Sequence, residues 1–261
     1  MKISTNGIEI HYTIEGSGPW ITLSHSLACN VSMWDGQAAW LKERYTVLRF
    51  DTRGHGQSSA PSGPYTLDQM ADDVHGLFTH LGIDRTHWVG LSMGGMIGQT
   101  YALKYPGRFA SMVLADTTAR RPPGADAMWG ERIRNAEAGG MASQVQTTLA
   151  RWFTEPFRKA RPDVMGRIGR DILATPVAGF CGACHAISKV DVLDRLGEIN
   201  CPCLVLVGAE DHATTPDMAR DIRSRIRDAD LTIIPSASHV SNIEQPEAFD
   251  AALRAFLARV G

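Results

Sequence analysis

The chain has 261 residues, 44% hydrophobic and 21% charged, with a formal net charge of −2 and no run of like charges. Such a composition belongs to a globular protein that buries its own core; it offers neither the basic stripe of a nucleic-acid binder nor the apolar run of a membrane span. The opening MKISTNGIEIHY has no apolar export signal, so the expected compartment is the cytoplasm and the five cysteines are expected as thiols.

In chain order, Ile8 to Ile14 alternates apolar and polar residues, as in a half-buried antiparallel strand. The runs 20-WITLSHS, 46-TVLRFD, 87-HWVGLS, 111-SMVLADT and 203-CLVLVGA are short and continuous, the pattern of parallel strands covered on both faces. Between them Leu67, Met70, Val74, Leu77, Phe78 and Leu81 repeat at helical spacing, with Thr66 and Gln69 as a capping box and Gly82 as a stop. From Thr117 to Ser188 no good strand occurs; this stretch reads as a helical cap inserted into a doubly wound α/β core. The core is then 1–117 with 189–261, and the cap 118–188. Ile187, Val190, Leu193 and Leu196 again repeat at helical spacing, and Pro246 starts a last helix with the stripe Phe249, Leu253, Phe256, Leu257 and Val260.

Chemistry concentrates in 88-WVGLSMGGM-96, where Gly90-Leu91-Ser92-Met93-Gly94 has the form G-x-S-x-G between a strand and a helix. That setting lifts a serine hydroxyl above the sheet at a helix N-terminus, and the glycines leave room for the strained turn. Ser92 as a nucleophile needs a base, and the base needs an acid, following it in chain order. His239, in 235-PSASHVSNIEQP-246 after the apolar run ending at Ile234, is the expected base. Asp211, in 207-VGAEDHATTP-216, is favoured as the acid over Asp116 in 113-VLADTT-118, because its loop is adjacent to the histidine loop in chain order. The N–H groups of Met93 and of Leu27, in 24-SHSLACNVSMW-34, are the expected oxyanion donors.

A competing centre is spelled by 180-FCGACHAIS-188, with the pair Cys201 and Cys203 following Cys184 after sixteen intervening residues. Its second pair is one residue short of a two-pair zinc spacing, contains Pro202 and opens a buried strand run. Haem attachment would require export. Buried thiols are therefore expected, no metal, and His185 near the pocket rim.

With these residues in view, the sequence resembles the α/β-hydrolase superfamily along its whole length, and 51-DTRGHGQS-58 looks like the turn after the fourth strand in many members, with Asp51 and Arg53 in structural roles. Together with 63-GPYTL, 90-GLSMGGM, 151-RWFT, 211-DHATTP and 238-SHVSNIE it is most similar to the 3-oxoadipate enol-lactonase family, cofactor-free lactonases of the β-ketoadipate pathway. The resemblance implies an eight-stranded, mostly parallel sheet and opening of an enol-lactone through an acyl-serine. It carries the triad onto Ser92, Asp211 and His239 and needs no cofactor. His25-Ser26 departs from the His-Gly of many superfamily members, and the likeness weakens over 121-RPPGADAMWGERIRNAEAGG-140. Trp129 and Trp152 are expected as pocket walls, and Arg120 or Arg121 as the partner of a substrate acid group. A small ester or lactone is the expected partner, with homo-oligomers common enough to expect one. The alternatives are a broad carboxylesterase, a cofactor-free perhydrolase, or a ligand receptor that keeps the pocket without turnover; Ser92 where a haloalkane dehalogenase has Asp argues against that activity.

Overall fold

A computed structural model describes all of residues 1–261. Eight strands form one sheet: β1 (Lys2–Thr5), β2 (Ile8–Glu15), β3 (Trp20–Ser24), β4 (Thr46–Phe50), β5 (Thr86–Leu91), β6 (Phe109–Ala115), β7 (Cys203–Gly208) and β8 (Ala229–Ile234), in the order β1-β2-β4-β3-β5-β6-β7-β8. Only the β1–β2 and β2–β4 pairs are antiparallel; from β4 to β8 every pairing is parallel. The continuous apolar runs follow from this, because β5 and β7 are buried at every residue. The first strand lies outside the expected set. Asn6 and Gly7 both take positive φ, 46° and 75°, the geometry of a tight hairpin turn that the Asn-Gly pair favours.

Eleven helices complete the chain. Those of the core are α1 (Asp35–Leu41), α2 (Leu67–Leu81) and α3 (Met93–Lys104). The cap stretch then holds α4 (Ala125–Gly139), α5 (Ala142–Trp152), α6 (Glu155–Ala160), α7 (Pro162–Ala174) and α8 (Val177–Ile187). The chain finishes with α9 (Pro216–Arg225), α10 (Ser241–Glu244) and α11 (Pro246–Val260). In α2 the Thr66 hydroxyl accepts the Gln69 N–H, and Gly82 closes the helix in the left-handed region, φ 65°. All five cap helices lie between the end of β6 and the start of β7, over the carboxyl ends of the strands, where open α/β sheets bind ligands. No helix is long and apolar enough to cross a membrane.

The CGACH stretch is the body of α8, with Cys181 and Cys184 packed in the hydrophobic core. Burial pushes the Cys184 thiol up to about 12. No group of three or more His, Cys, Asp and Glu side chains is placed to hold a metal ion. The helical spacing from Ile187 to Leu196 does not become one helix. The chain breaks after Ile187, Arg120 and Asp191 form an isolated bridge, and a 3-10 turn then covers Leu193–Glu198.

Candidate active site

Three loops at the carboxyl ends of β5, β7 and β8 carry the candidate residues. Ser92 sits between β5 and α3 at φ 55° and ψ −112°, a conformation that costs an L-residue energy and is kept only because its surroundings leave no alternative. The flanking glycines are part of those surroundings: a Cβ on Gly90 would strike the Gly94 carbonyl, and one on Gly94 the Ser24 carbonyl. The Ser92 N–H donates to the Ala115 carbonyl at 2.9 Å, and the Ser92 carbonyl accepts the Thr117 hydroxyl at 2.7 Å.

His239 Nε2 lies 2.9 Å from Ser92 Oγ, and its Nδ1 lies 2.8 Å from Asp211 Oδ2. An ionised carboxylate can only accept, so Nδ1 carries the ring proton and Nε2 is free to accept the serine hydroxyl. Asp211 is held by more than histidine. Its Oδ1 accepts the N–H groups of Ala213 and Thr214, at 2.7 and 2.9 Å, and its Oδ2 accepts the Thr214 hydroxyl at 2.7 Å. Burial disfavours the Asp211 charge, but the His239 imidazolium and these donors outweigh it and hold the carboxyl below its ordinary range. For His239 burial acts against the cation, and the Asp211 carboxylate outweighs it, so the imidazole pKa stands above its ordinary 6.5.

Leu27 lines the same cavity, and its N–H has no acceptor within the protein. Met93 is the first residue of α3, so its N–H has no intrahelical acceptor. The ring of His25 fixes the Leu27 loop. Nδ1 bonds the Ser26 carbonyl at 2.7 Å, and Nε2 accepts the Thr52 N–H at 3.0 Å.

Over Ser92 and His239 lies a cavity of about 450 Å³. Trp129 and Trp152 line it, Trp152 buried and Trp129 half-buried. The expected arginine needs correcting. Arg120 does not reach the cavity: it points outward and pairs with Asp191 at 2.8 Å and Asp194 at 2.5 Å. Successive residues of an extended segment face opposite ways, so Arg121 faces the cavity, although it also pairs with Asp126. Two cavity arginines were not expected, Arg132 on α4 and Arg151 on α5, and neither has a carboxylate within ion-pair distance. Burial pushes the Arg132 pKa down to about 10, with the Arg151 charge adding to the effect, which leaves it a cation at neutral pH. It lies over the rings of Trp129 and Phe180, at 4.9 and 5.2 Å, and donates to Thr148 Oγ1 at 3.2 Å. His185 belongs to a different surface cavity, beside Tyr65 and Lys104. Thr214 and His212, also on the cavity wall, lie within the 211-DHATTP stretch, where the sequence singles out Asp211 alone.

Residues 19–246 match the family described as the alpha/beta hydrolase fold. The 3-oxoadipate enol-lactonase 2 of Acinetobacter baylyi is 35% identical over 98% of this chain and 96% of its own length. The crystal structure of the enol-lactonase from Burkholderia xenovorans LB400 superposes with a TM-score of 0.95 at 38% identity, covering 99% of this chain and all of that one. A thermophilic esterase from Thermogutta terrifontis, solved with malate bound, gives 0.94 at 32% identity, covering 100% of this chain and 98% of its own. The chain belongs to the α/β-hydrolase fold family and is an ester or lactone hydrolase.

Proposed function

We propose that the chain opens a small enol-lactone bearing a free carboxylate, of the 3-oxoadipate enol-lactone type, through an acyl-serine intermediate. The observation that carries this reading is the alignment of Ser92 Oγ, His239 and Asp211 on the floor of a cavity whose cap wall presents two arginines without carboxylate partners. In the first step His239 Nε2 takes the Ser92 proton as Oγ attacks the lactone carbonyl, and Asp211 stabilises the imidazolium. The Leu27 and Met93 N–H groups receive the oxyanion. His239 then protonates the enol oxygen as the ring bond breaks, and later takes a proton from the water that releases the acyl group. Arg132 and Arg151 meet the substrate carboxylate, a role for which a planar, permanently charged donor is suited.

Full-length similarity to the enol-lactonases of Acinetobacter baylyi and Burkholderia xenovorans supports the lactone, and the esterase relative supports a second reading, a short-chain esterase of broad scope. The test compares kcat/KM for 3-oxoadipate enol-lactone with that for a panel of p-nitrophenyl esters, in wild type and Ser92→Ala. Preference for the lactone by a hundredfold or more, abolished in Ser92→Ala, is the expected result. A flat profile would favour the esterase, and a fully active Ser92→Ala would sink both readings.

A further inference from the structure

Asp116, at the end of β6, sits beside the candidate triad without touching His239. It is fully buried, and its backbone takes φ 43°. That value is unusual for a non-glycine residue and persists only where the surroundings impose it. Its Oδ1 accepts the Gly208 N–H at 2.8 Å, at the last residue of β7, from which the Asp211 loop departs. Its Oδ2 accepts the Ser241 hydroxyl at 2.6 Å and the Ser241 N–H at 3.3 Å, two residues after His239. The Asp116 N–H in turn donates to the Leu206 carbonyl at 2.8 Å. No cation pairs with this carboxylate, and the acyl-serine reading gives it no task. One side chain therefore grips both loops that must meet over Ser92.

We propose that Asp116 is a positioning residue of the site: its carboxylate clamps the Asp211 loop through Gly208 and the His239 loop through Ser241, holding acid and base in register. This rests on the acyl-serine reading of Ser92, Asp211 and His239. Three hydrogen bonds to Asp116 and four to Asp211 form a network of two buried carboxylates whose geometry is stiff because each unmade bond would leave a buried polar group unpaired. The clamp has an electrostatic consequence as well. The charged groups acting on His239 are Asp211, Asp116 and, with opposite sign, Arg151. Burial and the Asp211 charge push the Asp116 pKa up to about 7.

Two variants separate the parts. Asp116→Asn keeps the shape and removes the charge and one acceptor; Ser241→Ala keeps the charge and removes the shorter of the two bonds to the His239 loop, leaving only the backbone N–H at 3.3 Å. Activity on p-nitrophenyl acetate is measured from pH 5 to 9, with thermal melting on the same samples. Asp116→Asn should lower kcat by about ten- to a hundredfold with KM within about threefold, the size expected for a small misplacement of catalytic groups. The acidic limb of kcat/KM should also move to lower pH, since a negative neighbour that favoured the imidazolium has gone. Ser241→Ala should lower kcat by about tenfold and leave that limb in place. If both variants keep kcat within twofold, or lose it only in proportion to unfolded protein with the pH limb unmoved, the positioning role is refuted. Should Asp116→Asn fail to fold, the kcat of Ser241→Ala decides alone. A wild-type-like Ser92→Ala, run in parallel, would instead remove the acyl-serine reading and the clamp's purpose with it.

Discussion

Replacing Arg132 by Met should lower activity on an anionic substrate and leave the free protein as stable as before, a combination that separates a binding residue from a packing residue. Arg132 is largely buried on α4 with no carboxylate partner, so the folded chain bears the desolvation of its charge without an ion pair in return. Methionine retains most of the apolar stem and removes that cost, while forfeiting the contacts with the Trp129 and Phe180 rings. Those contacts are worth about 0.5–2 kcal/mol, comparable with the desolvation relieved, so the change in stability should stay within about 1 kcal/mol. In a chain of this length that is a melting shift of about 2–4 °C at most. Binding behaves differently. A guanidinium–carboxylate hydrogen bond contributes about 1.5–3 kcal/mol, below the ceiling of about 4 kcal/mol for two charges 4 Å apart at an effective dielectric of about 20. At about 1.4 kcal/mol per factor of ten, the loss in kcat/KM for the lactone acid is roughly 10- to 150-fold. A neutral ester of similar size should lose less than about threefold, since it has no charge for Arg132 to meet. Steady-state kinetics on the lactone acid and a p-nitrophenyl ester, with melting curves of both proteins, provide the readout. An equal loss on both substrates, or a fall in melting temperature beyond about 4 °C, would refute the assignment of Arg132 to a substrate carboxylate.

Asp211→Asn should keep the fold and cut kcat by about 10³–10⁴-fold, because an amide can donate to Nδ1 and stabilise the wrong imidazole tautomer; a loss under tenfold in a steady-state assay would point to a different acid. The acidic limb of wild-type kcat/KM should lie above pH 6.5, since neutral His239 is the reactive form and the Asp211 charge raises its pKa; a limb below 6.5 in a pH-rate profile would contradict the ion pair. Gly94→Ala should destabilise the chain by about 3 kcal/mol, or about 6–12 °C in melting temperature, because the new methyl meets the Ser24 carbonyl in a turn with no room to widen. Unchanged melting would show that the Ser92 turn is less constrained than its contacts require.

The sheet was readable because its strands are apolar on both faces and end abruptly, and each candidate loop adjoins one such end. Ser92, Asp211 and His239 therefore announce themselves by motif and order although they are far apart in sequence. What escaped reading depends on packing. The Arg120/Arg121 ambiguity resolves only when the bridge to Asp191 turns one side chain outward. Arg132 and Arg151 resemble ordinary helix-surface arginines until the fold of α4 and α5 over the sheet turns them inward. Asp116 competes with Asp211 in the sequence, and only the distances show it bonded to Gly208 and Ser241 instead of His239. The first strand was missed for another reason: four residues are too few for a periodicity argument, and only the Asn6-Gly7 turn marks the hairpin.

The cap is not fastened evenly to the sheet, and this bears on how specificity and chemistry divide. Its α5–α6 junction is bound to the His239 loop: the Val240 N–H donates to the Trp152 carbonyl at 3.2 Å, and the Ser238 hydroxyl to the Arg151 carbonyl at 3.2 Å. Buried Glu244 accepts the Thr154 N–H and hydroxyl at 2.8 and 2.6 Å on one oxygen, and the Ser238 N–H at 2.7 Å on the other. Arg151 and Trp152 thus share a scaffold with the imidazole, and a change there disturbs substrate contact and proton transfer together. Helix α4, with Trp129 and Arg132, has no such bond to the His239 loop and packs chiefly on α5 and α8. A substitution on α4 can reshape the cavity roof while Ser92, His239 and Asp211 keep their distances. On the acyl-serine reading, changes of substrate preference in this chain should therefore be sought first on α4, the element most independent of the groups that do the chemistry.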